Sequence, residues 1–148
     1  MNIFYLHENP IQSAKWHLDK HVVKMPIEYA QLLSTAHRLL DGTMWIDRTA
    51  NNRRIKRWRL DDDREDNLYK AGHINHPSAV WCRETTANYF HLFSLYTATL
   101  AEFTYRYGKL HGASKPWLWL QRPPKNLKSD GLTPMPQAMP DYCKIVGD

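Results

Sequence analysis

Apolar side chains recur three and four residues apart at Val22, Met25, Tyr29, Leu32, Ala36 and Leu39, the spacing of one buried helical face. Asp41-Gly42 closes that run. Pro26 lies inside it and lacks a backbone N–H, so the continuous helix either starts near Pro26 or is kinked there. A second helical region starts at Pro77-Ser78 and carries Trp81, Tyr89, Leu92, Tyr96, Leu100, Phe103 and Tyr107, with Gly108 near its end. Asn2-Ile3-Phe4-Tyr5-Leu6 is rich in strand formers and predicts a short strand or extended arm. Asn9 before Pro10 reads as a helix cap followed by proline at the first helical position, opening a short helix to about Leu18, with Asp19 a second candidate cap.

Residues Thr43 to Gly72 break the helical pattern and predict a long charged loop with some helix. The segment Lys115-Pro116-Trp117-Leu118-Trp119-Leu120 adds a short helix. From Pro123 onward, Pro124, Pro134, Pro136 and Pro140 deny regular structure and leave an extended tail. There is no internal repeat and no low-complexity segment. The expected fold is mainly α: one compact domain over residues 1–148, with two long helices, several short ones, an N-terminal strand or arm and a Pro-rich tail.

A chain of 148 residues suits a single hydrophobic core, and six Trp with eight Tyr supply much of its volume. Cys82 and Cys143 are the only cysteines, too few for a disulfide framework and not at metal-ligand spacing. That usage suits a reducing, cytoplasmic compartment. No stretch approaches the roughly 20 apolar residues of a membrane span, and Met1 to Leu6 lacks the features of a signal peptide. The formal net charge of +5 favours acidic partners, DNA or a nucleotide before others.

Three groups of residues carry candidate chemistry. In the first, Asp19, Lys20, His21, Lys24 and Glu28 crowd together, and on a helix His21, Lys24, Glu28, Gln31 and Arg38 share a polar stripe. Imidazole, amine, carboxylate and amide side by side can supply a nucleophile and a general base; the plainer reading is a solvated face with a Lys24–Glu28 pair. His17 and His21 stand four apart, but no third ligand follows and Asp19 as a cap would separate them, so neither metal nor cofactor is expected. The second group is basic: Arg48, Arg53, Arg54, Lys56, Arg57 and Arg59, interleaved with Trp45 and Trp58. Guanidinium pairs with phosphate and indole stacks on unstacked bases, unless the acidic run Asp61 to Asp66 neutralises the block in cis. The third is the turn into the second helical region, where His73, His76, Ser78 and Arg83 surround a helix start that attracts phosphate. Its plainer reading is that Ser78 or Asn75 caps the helix. Glu102 and Arg106, four apart, read as an ion pair.

The string from His17 to His37, with His76-Pro77-Ser78-Ala79-Val80-Trp81 and Thr133-Pro134-Met135-Pro136-Gln137-Ala138-Met139-Pro140, resembles an uncharacterised family of small phage proteins. Members of that family continue into a Tyr-, Lys- and Trp-rich tail, so the resemblance implies a truncated C-terminus here and a place in the host cytoplasm. Ala14, His17-Leu18, Pro26 and Gly72-His73 also follow the order of the phage pyrimidine-dimer DNA glycosylases, which cut the glycosidic bond with an amine and a carboxylate. The sequence departs from them in two places. Lys24 stands where that family has its catalytic Glu, and Asn2 after Met1 does not expose a small N-terminal nucleophile. This fainter resemblance implies a rearranged base-excision site, with Lys24 or Lys20 attacking the sugar C1′ and Glu28 or Asp19 as the acid. A lysine in that role needs burial beside His21 and another lysine to lower its pKa. Arg53, Arg54 and Arg57 would then hold phosphates while Trp45 or Trp58 fills the space of a flipped base. The alternatives are a non-catalytic nucleic-acid-binding or host-takeover protein, and an enzyme or sponge for small nucleotides.

Overall fold

The computed structural model describes residues 9–15 and 19–134. The expected strand at 2–6, His17, Cys143 and the tail beyond 134 lie outside the described residues. The described elements are helices α1 (Pro10–Lys15) and α2 (Asp19–Asp41), strands β1 (Thr43–Arg48) and β2 (Arg54–Arg59), and helices α3 (Arg64–Asn67), α4 (Pro77–Cys82) and α5 (Thr86–Tyr107). A 3₁₀ turn at Gly112–Ser114 and helix α6 (Trp117–Leu120) follow. Helix dominates, as the two periodic runs predict. No described helix is long and apolar enough to cross a membrane.

The core forms where the apolar faces of α2 and α5 meet. Met25, Tyr29, Leu32, Leu33 and Ala36 pack against Tyr89, Leu92, Leu95 and Tyr96, with Trp81 and Cys82 of α4, Leu60, Leu68 and Leu120 closing the sides. Buried tyrosines need partners for their hydroxyls. Tyr96 donates to the carbonyl of Ala113 and Tyr89 to that of Leu120 at 2.6 Å, so the aromatic core also pins the C-terminal turns. Burial pushes the Cys82 thiol up to about 12, which leaves it an inert packing group.

Helix α2 crosses Pro26 instead of starting there. Pro26 cannot donate to Val22, and an outside group supports the next carbonyl: His111 Nε2 lies 2.6 Å from the oxygen of Val23. His111 Nδ1 already accepts from the Ala113 N–H at 2.9 Å, so Nε2 carries the proton and donates. At the other end, Asn9 caps α1 as expected, its Oδ1 accepting from the Ile11 N–H at 2.9 Å. The second helical region divides into two helices. Thr85 caps α5 through the N–H of Asn88 at 3.1 Å, while the buried Asn88 amide donates to the carbonyl of Trp81 at 2.9 Å and fixes the corner.

The expected loop over 43–72 is the main correction. Its first half is an antiparallel hairpin, in register from Thr43 opposite Arg59 to Arg48 opposite Arg54. Trp45 and Ile46 on one strand and Ile55 and Trp58 on the other favour extended backbone, and Asn52 takes the left-handed turn position at φ 59° that asparagine tolerates. The second half is fastened to α2. Ser34 accepts from the N–H of Tyr69, Thr35 from that of Gly72, and Arg38 gathers residues 58–69 around its guanidinium.

Candidate nucleic-acid interface

Side chains directly opposite one another across the hairpin share a face, and faces alternate along each strand. Trp45 opposite Arg57, Thr43 opposite Arg59 and Asp47 opposite Ile55 therefore form one face. Met44 opposite Trp58, Ile46 opposite Lys56 and Arg48 opposite Arg54 form the other. Trp45 and Trp58 thus lie on opposite faces and do not make one aromatic platform. Trp45 is the accessible one at 44% exposure, beside a shallow hollow it shares with Thr43 and Arg59.

The acidic run does not neutralise this hairpin through ion pairs. Asp62 pairs with Arg64 at 2.8 Å and Glu65 with Arg38 at 2.6 Å, both outside the strands. Within the hairpin, Asp47 meets Arg57 at 3.6 Å, and Arg48 donates to the backbone of Asn52. Arg53, Arg54 and Lys56 are exposed and form no ion pair among the described residues. The ribbon therefore presents Arg54 and Lys56 to solvent on one face, Arg53 at its turn, and the accessible Trp45 indole with Arg59 on the other face.

The His/Lys/Glu stripe stands at the opposite end of α2, about 27 Å from Gly42 at the helical rise per residue. Lys24 approaches Glu28 at 3.8 Å, but its side chain is 68% exposed, so the burial that would activate it as a nucleophile is missing. Lys20 is exposed as well. Burial, then Lys20 and Lys24, lower the pKa of His21 and favour its neutral form. Asp19 is held by Arg106 at 2.9 Å, and the same guanidinium binds Glu102 at 2.9 Å and the carbonyl of Lys15 at 3.0 Å. Asp19 therefore fastens α2 to α5, and the expected Glu102–Arg106 pair is part of that clasp. Arg38 leaves the stripe altogether and is buried.

Around His73, His76, Ser78 and Arg83 the helix start is capped by a side chain. The cap is His76, not Ser78 or Asn75: its Nδ1 accepts from the Ser78 N–H at 3.1 Å. Ser78 is buried at 1% exposure, which removes its hydroxyl from any ligand. His73 is exposed at φ 48°, and Arg83 is half-buried with Nη1 lacking a partner among the described residues.

The chain also builds a constellation that periodicity and motif reading missed. His37, on the buried face of α2, lies 2.8 Å from the hydroxyl of Tyr89, which donates onward to Leu120. His37 Nε2 is therefore the donor in that contact, and Nδ1 accepts from Arg64 Nη1 at 2.9 Å. Burial, then the Arg64 charge, lower the His37 pKa to about 4, so the ring is neutral at neutral pH. Arg64 also donates to Asp41 at 2.7 Å and chelates Asp62. Asp41 accepts in addition from the backbone of Lys125 and Asn126, and these hydrogen bonds hold its pKa down although burial opposes them. A cleft of about 630 Å³ opens above this network. His37, Asp62, Asp63 and Arg64 form one wall; Leu118, Trp119, Arg122, Pro123 and Lys125 form the other. The only local signal for it is Arg64 standing alone inside an acidic run.

No protein family, curated protein or solved structure matches the chain. Among the described residues, no three His, Cys, Asp or Glu side chains group as metal ligands.

Proposed function

We propose that this chain binds DNA through the β1–β2 hairpin, as a nucleic-acid-binding protein that contacts phosphates with Arg53, Arg54 and Lys56, with Trp45 on the opposite face of the ribbon open to an unpaired base. The observation behind this reading is that these cations have no ion-pair partners among the described residues, while Asp62 and Glu65 of the adjacent acidic run are engaged by Arg64 and Arg38. A cation paired in cis must break that contact to bind phosphate; an unpaired one releases counterions from DNA at no such cost. Fluorescence anisotropy with labelled single- and double-stranded DNA over a salt series tests it. The triple substitution Arg53→Ala, Arg54→Ala, Lys56→Ala should weaken both complexes and make the slope of log K against log salt shallower by about three, one for each phosphate left without its cation. An unchanged slope removes the hairpin from the interface. Trp45→Ala should weaken single-stranded binding more than duplex binding, because stacking needs an unpaired base.

The second reading is base excision, with Glu28, 3.8 Å from the Lys24 amine, as the acid and His21 biased towards its neutral form beside them; the exposure of Lys24 counts against it. Borohydride trapping on DNA separates the two. An adduct that survives EDTA and disappears in Lys24→Ala supports a glycosylase/lyase, whereas binding with no adduct supports the non-catalytic reading.

A further inference from the structure

We propose that the cleft between α6 and the start of α3 is a binding site for a nucleoside phosphate. The site is separate from the hairpin. Its volume of about 630 Å³ falls within the range of sites that enclose small organic ligands. Its two walls also differ in chemistry, and together they select the ligand class. Leu118, Trp119 and Pro123 supply an apolar surface with an indole, suited to a planar ring. Trp119 is also packed against the core, so the indole is held in place before any ligand arrives.

Arg122 and Lys125 bring charge to the same wall. Both line the cleft and neither forms an ion pair among the described residues, so each is available to a phosphate. The opposite wall is fixed in place: Arg64 is held by Asp41 and Asp62, and His37 stays neutral between Arg64 and Tyr89. Its carboxylates outnumber its one guanidinium, so a phosphate is seated on the side of Arg122 and Lys125 and the ring and sugar lie towards Asp63. Asp63 has no capping contact through its carboxylate and can accept from a sugar hydroxyl or an exocyclic amine. Inorganic phosphate would leave the indole unused, and an uncharged nucleoside would leave Arg122 and Lys125 unused. A ligand with both parts engages the whole cleft.

The test is a titration of the full chain, labelled with ¹⁵N at its tryptophan indoles, with AMP, adenosine and inorganic phosphate. AMP should move the Trp119 indole resonance, assigned by its loss in Trp119→Phe, and adenosine and phosphate should each bind about tenfold more weakly. Arg122→Ala with Lys125→Ala removes two side chains from the rim and should weaken AMP by about tenfold or more without changing the melting temperature. The proposal is overturned if AMP leaves the Trp119 signal unmoved in the millimolar range, or if the double substitution leaves AMP affinity unchanged. A short oligodeoxyadenylate distinguishes the source: if it moves Trp119 in the wild type and in the Arg53/Arg54/Lys56 triple variant, a nucleotide of a strand enters the cleft, whereas a response to AMP alone assigns a free nucleotide. Because that triple variant retains the cleft, failure of the hairpin reading and failure of this one give different results.

Discussion

Replacing Arg38 with methionine keeps most of the side-chain bulk and removes every donor of a guanidinium that is 3% exposed. Its Nε donates to Tyr69 O at 2.6 Å, Nη1 to Trp58 O at 2.9 Å and to Glu65 Oε1 at 2.6 Å, and Nη2 to the carbonyls of Glu65 and Leu68 at 3.0 Å each. All five donors are thus engaged, and four of the acceptors are backbone oxygens. Removing one partner of a buried ion pair costs about 3–5 kcal/mol, because the other partner is left without compensation. Glu65 is partly exposed, with 34% of its side chain in solvent, so water recovers some of its loss and the stranded carbonyls carry most of the penalty. We expect Arg38→Met to lose about 4 kcal/mol, a large share of the roughly 5–15 kcal/mol that stabilises a domain of this size. Arg38→Lys keeps the charge but lacks the planar fork and should lose about half as much. Urea unfolding followed by far-UV circular dichroism measures both. A loss below about 1 kcal/mol in Arg38→Met would refute the reasoning, because the segment from Trp58 to Tyr69 would then be held by something other than this guanidinium.

Acid should destabilise the fold through His37 before it does so through the carboxylates. Its folded pKa of about 4 lies below the ordinary value of 6.5, so the unfolded chain binds the extra proton and stability falls as pH drops from about 6.5 towards 4, by about 3 kcal/mol in all. Asp41, Asp62 and Glu65 are shifted down, and their contribution is lost only at lower pH. His37→Gln should flatten most of the change between about pH 7 and 4 in chemical-denaturation curves; an unaltered slope would place the titration elsewhere. Gly42→Ala should cost about 1–3 kcal/mol, since a Cβ there would sit 2.5 Å from the oxygen of Arg38 and 3.1 Å from that of Arg59, both backbone atoms at the root of the hairpin. A wild-type melting curve for Gly42→Ala would show that the helix-to-strand junction can yield.

The two long helices are legible from the chain because their signal is local. A 3.6-residue period in Val22, Met25, Tyr29, Leu32 and Ala36 means one buried face whatever lies opposite, and the Asn9-Pro10 start works through atoms two residues apart. The hairpin is less legible because neither of its faces is buried: strand alternation is read from an apolar face, and here Arg, Lys and Trp occupy both. Arg38 misled for the opposite reason, and His37 carried no signal at all. A polar residue near an apolar run reads as surface, and only packing decides that the partners of these two lie 20 to 52 positions away. The cleft is the extreme case, since its walls come from residues 37, 62–64 and 118–125, and nothing within any one of these segments tells which others it will meet. Helices and basic charge are thus properties of the sequence by itself. The neutral histidine, the fully engaged arginine and the cleft above them were decided by the tertiary structure, because each depends on desolvation and on contacts between segments distant in the chain.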